Sequence, residues 1–460
     1  MKVAVSRPPT IVLRAMKSVS RFPDWCSFSE HDRVAALEQS KKRLAGIGGM
    51  LNAVEQILPA DVSSRGPLAG MPYVAKDMIA TGKIEPSWGC SGPMAAALPR
   101  ASIVDRMEQA GACLVGTAKM TELAYEPSGF VRGGALNPWG SDAVPGGSST
   151  GSAILVASGC CFAALGSDTG GSVRIPAHCC GVTGLKPSYG SLPLDGTMPL
   201  APSLDTIGII TRSAADLALI WPSVSGESAG AVAERPSGAM LADTFSACDP
   251  EIAEICRGAI GVLTESGVAV AARSGFPEQA DQNALLVLQA EAARQHRERM
   301  DDTRIDATLR KRLRKGLAIS DDALGLALEA RDELRREFVS HYLGDATVAL
   351  LPVMPIRTPR VEEVDAASAH FNPRALYALS RFTRFVNYLG LPALAVPAGF
   401  DSRGLPVGLQ IVGRPGSDAS LLEIGVGLQA RTDWHGRVPT AIWPEIAGEK
   451  GFAASCASSV

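Results

Sequence analysis

"GSDTGGSVRIPAHCCG", residues 166–181, sets an Asp, a Ser and an Arg around a Gly-Gly pair inside an otherwise apolar stretch. Glycine lets a backbone turn sharply and aim consecutive N–H groups at one point. Pro176 suits the first turn of a helix starting near Ser172, which puts Ser172 at a helix N-terminus. The amides of Thr169, Gly170, Gly171 and Ser172 are then candidates to hold an oxyanion. A plain tight turn with a capping serine fits the same residues.

A second glycine-serine cluster, "PGGSSTGSA" at 145–153, lies just upstream. Its "GSSTG" fits a nucleophile-elbow pattern centred on Ser149, but that pattern needs a preceding strand, and "GSDAVP" is a poor one. It also needs a base. His178, His296, His341, His370 and His435 follow, none in an informative context. No Lys follows a Ser by three, and no phosphate loop of the G-x-x-x-x-G-K-[ST] type is present.

A lysine-based scheme remains. Lys76 sits in the apolar window "MPYVAKDMIA". Burial there disfavours the ammonium and lowers the pKa from a reference of about 10.4, so the amine can accept a proton near neutrality. Asp77 points to the opposite face of a strand and does not recharge it. A solvated surface lysine is the competing reading. The Ser148 hydroxyl can accept one proton while donating another, which suits a relay between Lys76 and Ser172.

The rest of the chain supports a large soluble enzyme. It has 460 residues, 46% hydrophobic and 20% charged, with a net charge of −3. That balance gives no reason to expect nucleic acid or an anionic membrane. The start, "MKVAVSRPPTIVLRAMKS", carries no secretory pattern. The uncharged run 143–167 is interrupted by Pro, Gly and Ser and reads as buried core. The ten cysteines contain no C-x-x-C, so buried reduced thiols are expected, with no metal.

Along the chain, residues 30–57 read as helix broken at Gly46–Gly49, and "YVA" (73–75) and "ACLVG" (112–116) as strands. Long charged helices dominate 250–345, and β-like runs return at "ATVALLPVMP", "LPALAVPAGF" and "GLPVGLQIVG". We expect one α/β domain over 1–460, with a helical N-terminal segment over about 1–65 and a helical insertion over about 250–345.

Lys76, "GGSSTGS" and "GSDTGGSVRIPA" together resemble the amidase signature family. The likeness extends through "GPLAGMPYVAKD", "CGVTGLKPSYG", "LPALAVPAG" and "GLPVGLQIVGRPG", nearly the whole chain. The resemblance implies a large mixed β-sheet core surrounded by helices. It implies C–N hydrolysis without metal or organic cofactor. By motif position, Ser172 corresponds to the acyl-forming nucleophile, Ser148 to a bridging serine on a cis peptide and Lys76 to the base. The amides of Thr169, Gly170, Gly171 and Ser172 correspond to the oxyanion hole. Asp168 and Arg174 brace the loop, and Ser149 and Ser152 support it.

The expected activity is hydrolysis of neutral amides, with esters and carbamates as further substrates and glutamine a poor one. The pocket wall is expected from about 315–385, where "LLPVMPIRTP" and "FNPRALYALSRFTRFVNYLG" mix Leu, Met and Phe. A stand-alone cytoplasmic hydrolase is expected ahead of the glutaminase subunit of a tRNA-dependent amidotransferase. A catalytically silent binding protein of the same fold is a further alternative, disfavoured because Lys76, Ser148 and Ser172 are all present. The expected partners are a small amide or carbamate and a second copy of the chain as a homodimer, with no nucleic acid and no membrane.

Overall fold

Pro72–Lys76, Cys113–Ala118 and Ala163–Asp168 are strands buried at every residue. Strands buried on both faces require cover on each side of their sheet. In the computed structural model, which describes residues 28–60, 65–94, 98–226 and 236–439, that cover is helical. The stretch read for a secretory signal lies outside the described residues, as do Cys26 and Cys456.

In chain order the strands are β1 (Val54–Ile57), β2 (Pro72–Lys76), β3 (Cys113–Ala118), β4 (Ala163–Asp168), β5 (Thr183–Lys186) and β6 (Thr206–Thr211). They continue as β7 (Ser237–Leu241), β8 (Ala269–Arg273), β9 (Val348–Pro352), β10 (Ala393–Phe400) and β11 (Pro406–Gly413). They form one mixed 11-stranded sheet in the order β1-β3-β2-β4-β6-β5-β10-β11-β9-β7-β8. β2 runs parallel to both β3 and β4, whereas β4, β6, β5, β10, β11 and β9 pair antiparallel in turn. Alternation along β2 sends Tyr73 and Ala75 into one apolar cluster and Val74 into the other.

The helices used below are α1 (Glu30–Arg43), α2 (Thr150–Ala157), α3 (Arg174–Cys180), α4 (Pro250–Glu265), α5 (Glu278–Gln295), α6 (Ala307–Gly316), α7 (Pro373–Ala378) and α8 (Arg384–Tyr388). α2 is buried at all of its residues, and with β4 it accounts for the long uncharged run of the sequence. No helix among the described residues is long and apolar enough to cross a membrane.

Two short elements depart from the sequence reading. Residues 54–57 form β1 rather than continuing the α1 region as helix, and β8 lies within the stretch read as a helical insertion. Both are edge strands of the sheet. β1 is half-exposed and β8 largely exposed, so neither carries the apolar pattern that marks an interior strand.

Candidate active site

Because β2 and β4 are parallel neighbours, with Ala75 opposite Leu165, their carboxyl ends open on one edge of the sheet. That edge is where open α/β sheets hold ligands. Lys76 closes β2, and Ser167 and Asp168 close β4. Lys76 is fully buried, and its Nζ lies 2.6 Å from Ser148 Oγ and 2.8 Å from Ser167 Oγ. Burial lowers its pKa to about 7, with Asp168 and Asp205 pulling weakly the other way. Asp77 is turned aside, accepting from the Ser87 N–H at 2.9 Å. Ser167 was not singled out in the sequence, although its place at the strand end beside Lys76 follows from the parallel pairing.

Ser148 follows a cis peptide bond from Gly147. Ser149 Oγ donates to the Ser167 carbonyl at 3.1 Å, and Ser152 Oγ to the Leu165 carbonyl at 3.3 Å. These two bonds fasten the start of α2 to β4. The Ser149 N–H donates to the Ser172 carbonyl at 3.1 Å, which ties the two glycine-serine loops together.

The loop after β4 is held by Asp168. Its carboxylate accepts from the Gly171 N–H at 2.8 Å and the Val173 N–H at 3.1 Å. It also pairs with the fully buried Arg174 guanidinium at 2.8 Å. Burial alone would raise the Asp168 pKa, but Arg174 outweighs it and holds the group well below the usual carboxylate range. α3 begins at Arg174, so Pro176 falls in its first turn. Gly171 sits at φ +126°, where a Cβ would meet Thr383 Oγ1 at 2.2 Å. Only glycine fits there.

Three further residues complete this brace, and the sequence reading did not name them. Arg174 donates to Gln410 Oε1 and to Asn387 Oδ1, each at 2.6 Å. Asn387 Nδ2 donates to the Asp168 carbonyl at 2.7 Å, and Thr383 Oγ1 to the Gly170 carbonyl at 2.6 Å. The available signal was a polar residue isolated in an apolar run: Asn387 in "RFVNYLG" and Gln410 in "PVGLQIVG".

Ser172 is 9% exposed, and it borders a cleft of about 240 Å3 together with Thr169 and Gly170. The Gly170 and Ser172 amides donate to no group among the described residues, nor does Ser172 Oγ. The Gly171 amide is occupied by Asp168. The cleft therefore offers a hydroxyl beside unfilled N–H donors, an arrangement suited to acyl transfer. Its outer wall comes partly from the expected 315–385 segment, through Leu376, Tyr377 and Arg384. Further lining comes from Tyr125 and Leu200, from α5 (Leu285, Leu288, Gln289) and from Arg312 of α6, all outside that segment, while Lys315 at the end of α6 lies at its edge. No Met among the described residues lines it: Met354 of "LLPVMPIRTP" is buried in the core. Among the other residues considered, His178 accepts from the Gly408 N–H at 2.9 Å through Nδ1 and serves packing. None of the eight described cysteines forms a disulfide.

The family model for Amidase matches residues 52–422. A glutamyl-tRNA(Gln) amidotransferase subunit of Moorella thermoacetica is 35% identical, covering 81% of this chain and 85% of that protein. The corresponding subunit of Heliobacterium modesticaldum is 30% identical over 89% and 94%. Among solved structures, an amidase superposes with TM-score 0.79 at 29% identity, covering 91% of this chain and 99% of that one. These solved neighbours share the mixed sheet with surrounding helices.

The relatives' names overturn the partner expectation. Proteins matching over most of this chain are subunits of an enzyme named for a tRNA, so the exclusion of nucleic acid does not stand, and a partner set of a small substrate and a second copy is too narrow. The physical reason is that a whole-chain charge balance says nothing about what neighbouring subunits bring. One subunit can perform chemistry while another holds the RNA.

Proposed function

The chain belongs to the amidase family, and from that premise we propose that it cleaves an amide C–N bond through an acyl-enzyme on Ser172. The observation that carries the reading is the Lys76–Ser148 contact at 2.6 Å, made by a fully buried amine with no ion-pair partner among the described residues. A neutral amine donates to Ser167 Oγ and keeps its lone pair for the Ser148 hydroxyl proton. Ser148 then takes the proton of Ser172 as Ser172 Oγ bonds to the substrate carbonyl carbon. The Ser148–Ser172 link closes when substrate is bound, since catalytic hydrogen bonds tighten in that complex.

We assign the oxyanion to the Gly170 and Ser172 amides, with Thr169 beside them and Gly171 serving as a strut through Asp168. Collapse of the tetrahedral intermediate breaks the C–N bond, and the proton returns through Ser148 to the leaving amine or ammonia. Water, deprotonated by the same relay, then hydrolyses the ester and restores Ser172. Asp168 and Arg174 act through the loop they hold.

The relatives' names support one context better than the stand-alone one first expected. In it, this chain is the amide-cleaving subunit of a tRNA-dependent amidotransferase and hands ammonia to a partner. A fluorophosphonate probe tests the shared chemistry. Labelling confined to Ser172 and lost in Ser172→Ala supports it. Unchanged labelling in that variant refutes it.

A further inference from the structure

β2 stops at Lys76 because the chain turns there. The Lys76 carbonyl accepts from the Met78 N–H at 2.7 Å and from the Ile79 N–H at 2.9 Å, a tight turn just past the strand end. Two contacts fix it: the Met198 N–H donates to the Met78 carbonyl at 3.0 Å, and Ile79 pairs with Thr197 as an isolated antiparallel bridge. Met78 is buried, and its thioether lies 3.0 Å from Ser167 Oγ, whose hydroxyl donates to it. The relay from Ser172 through Ser148 to Lys76 does not itself involve this sulfur.

Proton directions give it a part. A neutral amine carries two protons and one lone pair, and a serine hydroxyl has one proton and two acceptor lone pairs. Ser167 Oγ can therefore meet Lys76 Nζ, 2.8 Å away, in two ways. It can accept an amine N–H, which leaves the amine lone pair to Ser148 Oγ at 2.6 Å. Or it can donate to that lone pair, and then Ser148 has nowhere to pass its proton. A thioether carries no proton and can only accept. With Met78 in place the first arrangement makes two hydrogen bonds, N–H to O and O–H to S, where the second makes one. The nearby acids do not settle the choice. Asp77 is turned to Ser87, Asp168 holds the loop amides and Arg174, and Asp205 accepts from Thr169 Oγ1 at 2.6 Å and the Leu200 N–H at 2.9 Å.

We propose that Met78 is a positioning residue of the proton relay: its sulfur takes the Ser167 hydroxyl proton, so that Ser167 accepts from Lys76 and the amine lone pair is left for Ser148. The inference rests on the Lys76–Ser148–Ser172 reading and adds a direction to it. An apolar side chain of the same size fills the space and loses the direction.

The test is the rate at which a fluorophosphonate labels Ser172, since labelling needs the same removal of the Ser172 proton and no knowledge of the natural substrate. Limiting rate and half-saturating concentration are measured from pH 5 to 9 for the wild type, Met78→Leu, Ser167→Ala and the double variant. Leu matches Met closely in volume, so the fold is expected to hold, and Met78→Ile repeats the measurement with a second side chain of similar size. Met78→Leu should lower the limiting rate about three- to tenfold with little change in half-saturation, as for one hydrogen bond. A Ser167 proton resting on the lone pair favours the neutral amine, so the acid limb should move below about pH 7. A merely loosened site would admit water and move that limb up, toward an ordinary lysine. In the Ser167→Ala background the same substitution should cost less than about twofold, because the competing hydroxyl is gone.

An unchanged rate and limb in Met78→Leu overturns the inference, as does a limb that moves up, or an equal loss with and without Ser167. When the wild type is labelled at Ser172, such a result removes only the part given to Met78 and leaves the relay standing. If the wild type is not labelled at Ser172, the relay reading falls and Met78 falls with it.

Discussion

The two walls of the cleft are built by different rules. On the inner wall, Asp168 receives the loop amides and Arg174, and Arg174 reaches Asn387 and Gln410, so that every polar group of the brace has a partner. On the outer wall, no side-chain hydrogen bond or salt bridge holds Arg312 or Lys315 among the described residues, and the charge of Arg312 acts on Glu126. A fully satisfied buried network fixes one geometry, and that suits groups that must meet a reacting atom in a set place. Side chains held by no hydrogen bond fix no such geometry, so the inner wall is the part built for the chemistry.

Substitutions should respect that division, and the largest effect is expected at the nucleophile. Ser172→Ala should lower kcat by about 10^4-fold or more while leaving the thermal midpoint unchanged, since the hydroxyl packs against nothing the fold needs. Residual turnover near wild type would move the nucleophile elsewhere.

Next in size is the brace. Asp168→Asn leaves Arg174 buried without its counter-charge and should cost about 3–5 kcal/mol of stability in denaturant unfolding. A loss below about 1 kcal/mol would mean that the network is far less coupled than its contacts imply.

The pH dependence probes Lys76. Its pKa is lowered to about 7 by burial, so the amine is neutral above that pH and protonated below it. The kcat/KM profile should therefore rise through about pH 7 and level off above it, falling tenfold per unit on the acid side. A profile flat from pH 5 to 9 contradicts a neutral-lysine base.

Smaller still is Thr383→Val, which removes the bond to the Gly170 carbonyl. It should cost about 1 kcal/mol of stability and lower kcat more than it raises KM. An effect on KM alone would place Thr383 in substrate binding instead. At the other extreme, Lys315→Gln should change stability by no more than about 0.5 kcal/mol, as an exposed side chain without partners. A larger loss would mean that Lys315 holds the fold.

The contrast also explains what the sequence made legible. Lys76, Ser148, Ser172 and Asp168 stand in two glycine-rich windows and one apolar strand, where a charge or hydroxyl is conspicuous against its surroundings. The interior strands β2, β3, β9, β10 and β11 were equally plain, because burial on both faces writes a continuous apolar run. Thr383, Asn387 and Gln410 reach the brace from more than 200 residues away. Nothing local marks them, since their role exists only once α8 and β11 pack against the loop. Arg312 was hidden differently. In "ATLRKRLRKG" it is one of several cations, and a helical period alone does not tell which of them overhangs a cleft. The edge strands β1 and β8 escaped because an exposed strand carries little apolar signal.

The central claim is that a covalent acyl-enzyme forms on Ser172. The direct measurement is rapid acid quenching of the enzyme during turnover of an activated ester or anilide, followed by peptide mass mapping. The account predicts one added acyl mass on the peptide containing Ser172, formed before steady state and transferred to added hydroxylamine as a hydroxamate. Steady turnover with no acyl mass on that peptide at any quench time, and no hydroxamate, would contradict it.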